Sequence, residues 1–228
     1  MKTKPSPLAL PALAAAASLL FAVPATTLAQ DAAAEADQAA MMEAYMKLIT
    51  PGPQHEQLAK LAGEWEATQT LWMAPGAPAV EAKATAKFRM IMGGRFLVQT
   101  YKSEIPGMGA FTGRGTTGYD NVAKEYVQTW LDSFNTGIMT SRGKEADDKT
   151  IELVGESPDP FTKQKVKFRT LSKYIDDDHH EMEMFETRPG MEERKIMKIV
   201  YKRTAGPAAK SGKAGAKGKA KAETKAEN

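Results

Sequence analysis

The spacing of apolar residues changes period at Gly63. Ahead of it, Met41, Met42, Tyr45, Leu48 and Ile49 recur at three- and four-residue intervals, which predicts a helix from Asp37 with one apolar stripe. Pro51-Gly52-Pro53 ends that helix. A short helical turn from Pro53 to Leu61 follows, with Leu58 and Leu61 facing inward. After Gly63, short runs of Val, Ile, Thr and aromatic residues alternate with turn residues. They predict ten strands, near 64–73, 80–91, 95–104, 111–118, 125–134, 137–144, 149–156, 165–175, 180–188 and 194–203.

The connections are short. Gly93-Gly94 is the sharpest hairpin signal, because glycine enters positive φ without penalty at both turn positions. Asp120-Asn121, Asp147-Asp148 and Pro158-Asp159-Pro160 mark further turns. No long helical pattern separates the strands, so parallel crossovers are not expected. The expectation is a mainly β fold, an antiparallel meander closing into a barrel of about ten strands, since closure removes the exposed edges.

The two ends differ from the middle. Lys2 and Lys4 precede an apolar run densest from Ala12 to Val23, and small residues lead to Thr27-Leu28-Ala29. This reads as a signal peptide over residues 1–29, with export to the periplasm or beyond. Pro11 and Pro24 bracket a run too short to span a bilayer, so no transmembrane segment is expected in the mature protein. Residues 30–40 are Ala-rich and acidic and read as a linker; the barrel domain is expected over 41–204. Residues 205–228 hold six lysines and two glutamates with almost no apolar bulk, and read as a disordered tail able to make weak contact with anionic surfaces. The ends carry more than the whole net charge of +3, leaving a slightly acidic domain unsuited to nucleic acid. Without cysteine, disulfides, thiolate metal sites and thiol nucleophiles are excluded.

The segment from Pro51 through His55, Leu58 and Leu61 to Gly63-Glu64-Trp65 resembles a bacterial family of unknown function. So do Gly93-Gly94-Arg95-Phe96-Leu97 and the run from Phe111 through Gly118-Tyr119-Asp120-Asn121 to Trp130 and Asp132-Ser133. That resemblance covers roughly residues 41–204 and supplies no catalytic residues. More distantly, Gly63-Glu64-Trp65 opening a first strand after a helical turn is similar to the lipocalin and fatty-acid-binding (calycin) superfamily. There a basic residue of the last strand packs on the tryptophan; the resemblance puts Arg203, or Lys202, in that place. The same segment resembles nitrobindin-type haem barrels, which use a late-strand histidine as iron ligand. Only His179 or His180 stands there, and nothing else in the sequence indicates a haem pocket, so no cofactor is expected.

Alternation over 125–134 places Tyr126, Gln128, Trp130, Asp132 and Phe134 on one face, a mixture suited to a mainly apolar pocket with a few orienting groups. Arg89 and Arg169, in strands of mixed pattern, are candidates to hold a ligand carboxylate. Asp176, Asp177, Asp178, His179 and His180 read as a solvated turn rather than a metal site. Gly113-Arg114-Gly115-Thr116-Thr117-Gly118 has the spacing of a dinucleotide loop without the helix that must follow, so those glycines belong to a tightly curved strand. No catalytic residue is identified. The leading expectation is non-enzymatic binding of a small apolar or amphipathic ligand in the barrel. A side-chain-filled barrel engaging partners at the cell envelope is the rival, and an enzyme using Asp132 the third reading.

Overall fold

The computed structural model describes residues 25–206, with side chains from residue 35. The expected signal peptide falls largely outside this range, and so does the lysine-rich tail beyond residue 206. Two units are distinct, one ending at Leu48 and the other beginning at Ile49. The first contains all but the last residue of α1 (Ala25–Ile49). This helix starts well before Asp37, and the stretch expected as a linker is helical. The reason is composition: from residue 25 to 49 there is neither glycine nor proline, and alanine is the best helix former. Thr27-Leu28-Ala29 lies within α1.

In the second unit, α2 (Pro53–Lys60) precedes ten strands. They are β1 (Gly63–Leu71), β2 (Val80–Ile91), β3 (Phe96–Ile105), β4 (Gly109–Asp120) and β5 (Glu125–Asp132). The rest are β6 (Met139–Glu145), β7 (Thr150–Pro158), β8 (Lys165–Asp176), β9 (His179–Thr187) and β10 (Arg194–Ala205). Each strand pairs antiparallel with the next, and β1 pairs with β10, closing the barrel. The meander expected from the sequence is therefore the fold. Met92, Gly93 and Gly94 all take positive φ in the β2–β3 turn, so one more left-handed residue is needed there than the glycine pair suggests.

Up-and-down connectivity sends five hairpins to one end and four to the other. At one end α2 lies across the barrel. Pro53 opens that helix, where its missing N–H costs nothing. The Gly52 N–H donates to His55 Nδ1 at 3.0 Å, which is the physical content of the Gly52-Pro53-x-His55 pattern. Buried His55 and Leu58 face the barrel. Trp65 Nε1 donates to the Leu61 carbonyl at 2.9 Å, and the Tyr126 hydroxyl donates to Glu145 Oε1 at 2.8 Å. Beneath α2 the interior is filled by Trp65, Phe88, Leu97, Tyr126, Leu153 and Tyr201. The guanidinium of Arg203 lies over Trp65, so the basic residue implied by the lipocalin resemblance is Arg203, while Lys202 points outward.

Candidate functional site

The other end of the barrel is built differently. Alternation on β2 brings Ala82, Ala84 and Ala86 inward, and the β3–β4 register faces Gly113 and Gly115 inward beside Tyr101 and Gln99. Gly155 faces inward on β7 opposite Ser141. These glycines are close-approach positions, Gly113 and Gly115 lying under the Trp130 ring and Gly155 against Ser141. Phe111, Gln128, Trp130, Phe168, Met184 and Met197 point inward at this end and remain only half-buried.

Tyr126, Gln128, Trp130 and Asp132 share the inner face of β5, as their spacing predicts. Tyr126 is fully buried at the α2 end and belongs to the core rather than to the opening. Gln128 Nε2 donates to Thr117 Oγ1 at 3.1 Å across the β4–β5 pair. Trp130 lies against Gly113 and Gly115, where an added Cβ would meet its ring at 2.2 Å and 3.1 Å. The curved glycine strand is thus the seat of Trp130. Asp132 is occupied: Oδ2 accepts from Trp130 Nε1 at 3.0 Å, and Oδ1 accepts from the Phe134 N–H at 2.9 Å and Asn135 Nδ2 at 3.0 Å. It pins the tryptophan and shapes the turn after β5. Phe134 lies past the strand and meets Phe111 edge-on at 5.1 Å.

Arg89 and Arg169 are not brought to this site. Arg89 stands between inward-facing Phe88 and Met90 and is exposed on the outer wall. Arg169 faces outward from β8, paired with Glu193 and Glu152 and stacked 4.3 Å from the Phe185 ring centroid. Neither is positioned for a ligand inside the barrel.

The structure adds residues that the sequence reading passed over. A row of neutral polar groups crosses the lumen. Tyr101 donates to Gln69 Oε1 at 3.1 Å, Gln69 Nε2 donates to Met197 Sδ at 3.0 Å, and Gln99 Nε2 lies 3.4 Å from the Tyr201 hydroxyl. Ser103 Oγ is buried without a partner. At the rim, buried Glu186 accepts from Arg194 and Arg188, and Arg188 reaches buried Asp159 at 2.5 Å. The backbone N–H of Thr162, the Arg188 guanidinium and the Phe161 N–H hold the Asp159 carboxyl down to about 2. His180 is the main correction. Only Asp176, Asp177, Asp178 and His179 sit at the exposed β8–β9 turn, whereas His180 is buried among Trp65, Phe88 and Tyr201. It borders a small cavity of about 70 Å³ under α2, which Leu58, Ile151, Ser172 and Tyr174 also line. The larger hollow, about 750 Å³, lies on the outer wall, lined chiefly by outward residues including Lys83, Lys102, Lys202, Glu66 and Glu104.

Among solved structures, the crystal structure of Rv2717c from M. tuberculosis is similar at a TM-score of 0.49 and 16% identity, covering 68% of this chain and 99% of that one. The S-type phycobiliprotein lyase CPES from Guillardia theta is similar at 0.46 and 9%, covering 65% and 90%. No curated protein matches the sequence. Residues 50–203, from the entry into α2 to Arg203 over Trp65, match the family described as "Protein of unknown function (DUF1579)". The chain belongs to that family.

Proposed function

We propose that this protein binds a small apolar or amphipathic molecule in the open half of its barrel, without catalysis, after export from the cytoplasm. The observation that carries the reading is the contrast between the two halves. Aromatic side chains fill the α2 half, while Phe111, Trp130, Phe168, Met184 and Met197 point inward at the other end and stay half-buried. Aromatic walls supply contact area, and methionines adapt to an irregular ligand. Gln69, Gln99, Ser103 and Gln128 present neutral amides and hydroxyls to the lumen, and the inward carboxylates of Asp132 and Glu186 are taken up by neighbouring donors, which suits a ligand with neutral polar groups. Asp132, committed to three donors, is a structural pin rather than a general base. Export rests on Lys2, Lys4, the apolar run and Thr27-Leu28-Ala29.

The test is saturable uptake of the neutral dye N-phenyl-1-naphthylamine by folded protein, with folding checked separately because partly unfolded chains also take up such dyes. Wild type and a Val122→Ala control should bind alike, and Trp130→Ala should bind about tenfold more weakly, the effect of one lost aromatic wall. Absence of saturable uptake by the folded wild type would reject the reading in favour of a filled barrel.

A further inference from the structure

Each of the five hairpin loops at the open end carries an exposed large apolar side chain, whereas only two of the four at the opposite end do, through Met92 and Val122. Met73, Met108, Phe134, Ile138, Phe161 and Met191 stand on the β1–β2, β3–β4, β5–β6, β7–β8 and β9–β10 connections, at least one on each. They are between 41% and 91% exposed. Residues 72–79, 106–108 and 133–138 contain no charged side chain. In the other two loops, Asp159 and Arg188 neutralise each other and Glu193 is paired with Arg169; these loops also carry Lys163, whose Nζ donates to the Pro160 carbonyl, and Glu192. The loops at the α2 end carry Arg95, Lys124, Asp147, Asp148, Lys149, Asp177 and Asp178 instead. The loops at the α2 end are thus the more charged and those at the open end the more apolar.

Phe161 shows that this display is built. Asp159 Oδ1 accepts from the N–H groups of Phe161 and Thr162 and from Thr162 Oγ1, at 2.8 to 3.1 Å. Asp159 itself is anchored by Arg188. A buried carboxylate therefore fixes the backbone of a turn whose phenylalanine is 91% exposed. Holding a large aromatic side chain in water brings no gain to the isolated fold, since its apolar surface remains hydrated.

We infer that this apolar crown docks the barrel mouth on an uncharged or zwitterionic lipid surface. The choice of lipid over protein follows from the arrangement. Single side chains on five loops around an opening offer no contiguous dry centre of the kind found in protein interfaces. A lipid surface needs none, because headgroups and chains close around each tip. The lack of charge on three whole loops matches a surface bound by apolar burial rather than by electrostatic attraction. Docking in this orientation would bring the open lumen onto the lipid, so an apolar ligand could pass without crossing water. The inference stands on the loops and goes beyond the lumen reading; a protein that docks without taking up dye would keep the one and lose the other.

The test is sedimentation of the full chain with phosphatidylcholine vesicles in high salt, which screens the lysine-rich tail. Wild type and Met92→Ser/Val122→Ser, altered at the α2 end, should bind alike. Ile138→Ser/Phe161→Ser should bind about tenfold more weakly or less. In the wild type, phosphatidylcholine with brominated chains should quench tryptophan fluorescence, Trp72 lying in a mouth loop, and this readout needs no variant. Equal binding by the two double variants would overturn the inference, since attachment would then lie elsewhere on the chain. So would failure of the wild type to bind, with or without self-association abolished by Ile138→Ser/Phe161→Ser; that self-association would assign the crown to a protein contact.

Discussion

His180 lies flat on Tyr201, with ring centroids 4.0 Å apart and planes 9° from parallel. Trp65 stands edge-on to the same imidazole at 4.5 Å, and Nδ1 has no hydrogen-bond partner. Burial, reinforced by the nearby Arg203 charge, holds the His180 pKa down to about 3. The imidazole is therefore neutral in the fold at any ordinary pH.

That arrangement makes stability depend on acid. In the unfolded chain this histidine has its ordinary pKa of about 6.5. Below that value the unfolded state binds the proton and the folded state does not. The His180 contribution is complete above about 6.5 and is lost as pH falls toward 3, at about 1.4 kcal/mol per pH unit. Denaturant unfolding at a series of pH values should show a shallower acid slope for His180→Phe than for wild type. Parallel slopes would mean that His180 gains its proton without unfolding.

Arg203 reaches the first strand from the last. Its Nη1 and Nη2 donate to the carbonyls of Ala62 and Lys60 at 2.6 Å, its Nε donates to the Asp177 carbonyl at 2.5 Å, and its Cζ lies 4.0 Å from the Trp65 ring centroid. Lysine cannot reproduce this planar fork, so Arg203→Lys should destabilise the barrel by about 2–3 kcal/mol. Trp65→Ala should cost about 3–5 kcal/mol, as for other buried aromatics. A double-mutant cycle should yield a coupling of about 1–2 kcal/mol. Strict additivity in equilibrium unfolding would show that the two residues do not support each other.

Gly113 and Trp130 should be coupled through space rather than through backbone conformation. Gly113 does not take positive φ, but an added Cβ would lie 2.2 Å from Trp130 Cζ2. Gly113→Ala should therefore destabilise by about 1–3 kcal/mol as an overpacked site does. In a Trp130→Leu background the same change should cost much less. Thermal melts of the four proteins decide the point, and an equal cost in both backgrounds would place the strain elsewhere.

The strands were legible because one face of each is buried and alternation carries that fact into the sequence; Ala82, Ala84, Ala86 and Phe88 on β2 are an instance. The inner face of β5 followed by the same logic. The arginines did not, although the signal was present: Arg89 stands between Phe88 and Met90, and both neighbours point inward. Asp132 looked like a ligand-orienting carboxylate because alternation says nothing about local hydrogen bonding; an aspartate two residues before Phe134 is equally well an Asx turn. His180 was obscured by the polar turn in front of it, yet His180, Met182, Met184 and Glu186 share one parity and one face. The rim network of Glu186, Arg188, Arg194 and Asp159 joins residues of different strands and loops, a juxtaposition that only the closed barrel creates.

Nine of the ten strand pairings join neighbours in sequence; the tenth, β1 with β10, joins residues as far apart as Glu64 and Ala205. Pairings of such separation carry the largest loop-closure entropy, so this seam is the natural last step of folding and the first place to open. An opened seam would expose two unpaired edges at once, each a template for another chain. Trp65 and Arg203 are register partners across it. Their contact therefore governs how often the protein passes through an aggregation-prone state, and substitutions there should be felt in shelf life and expression yield before they are felt in binding.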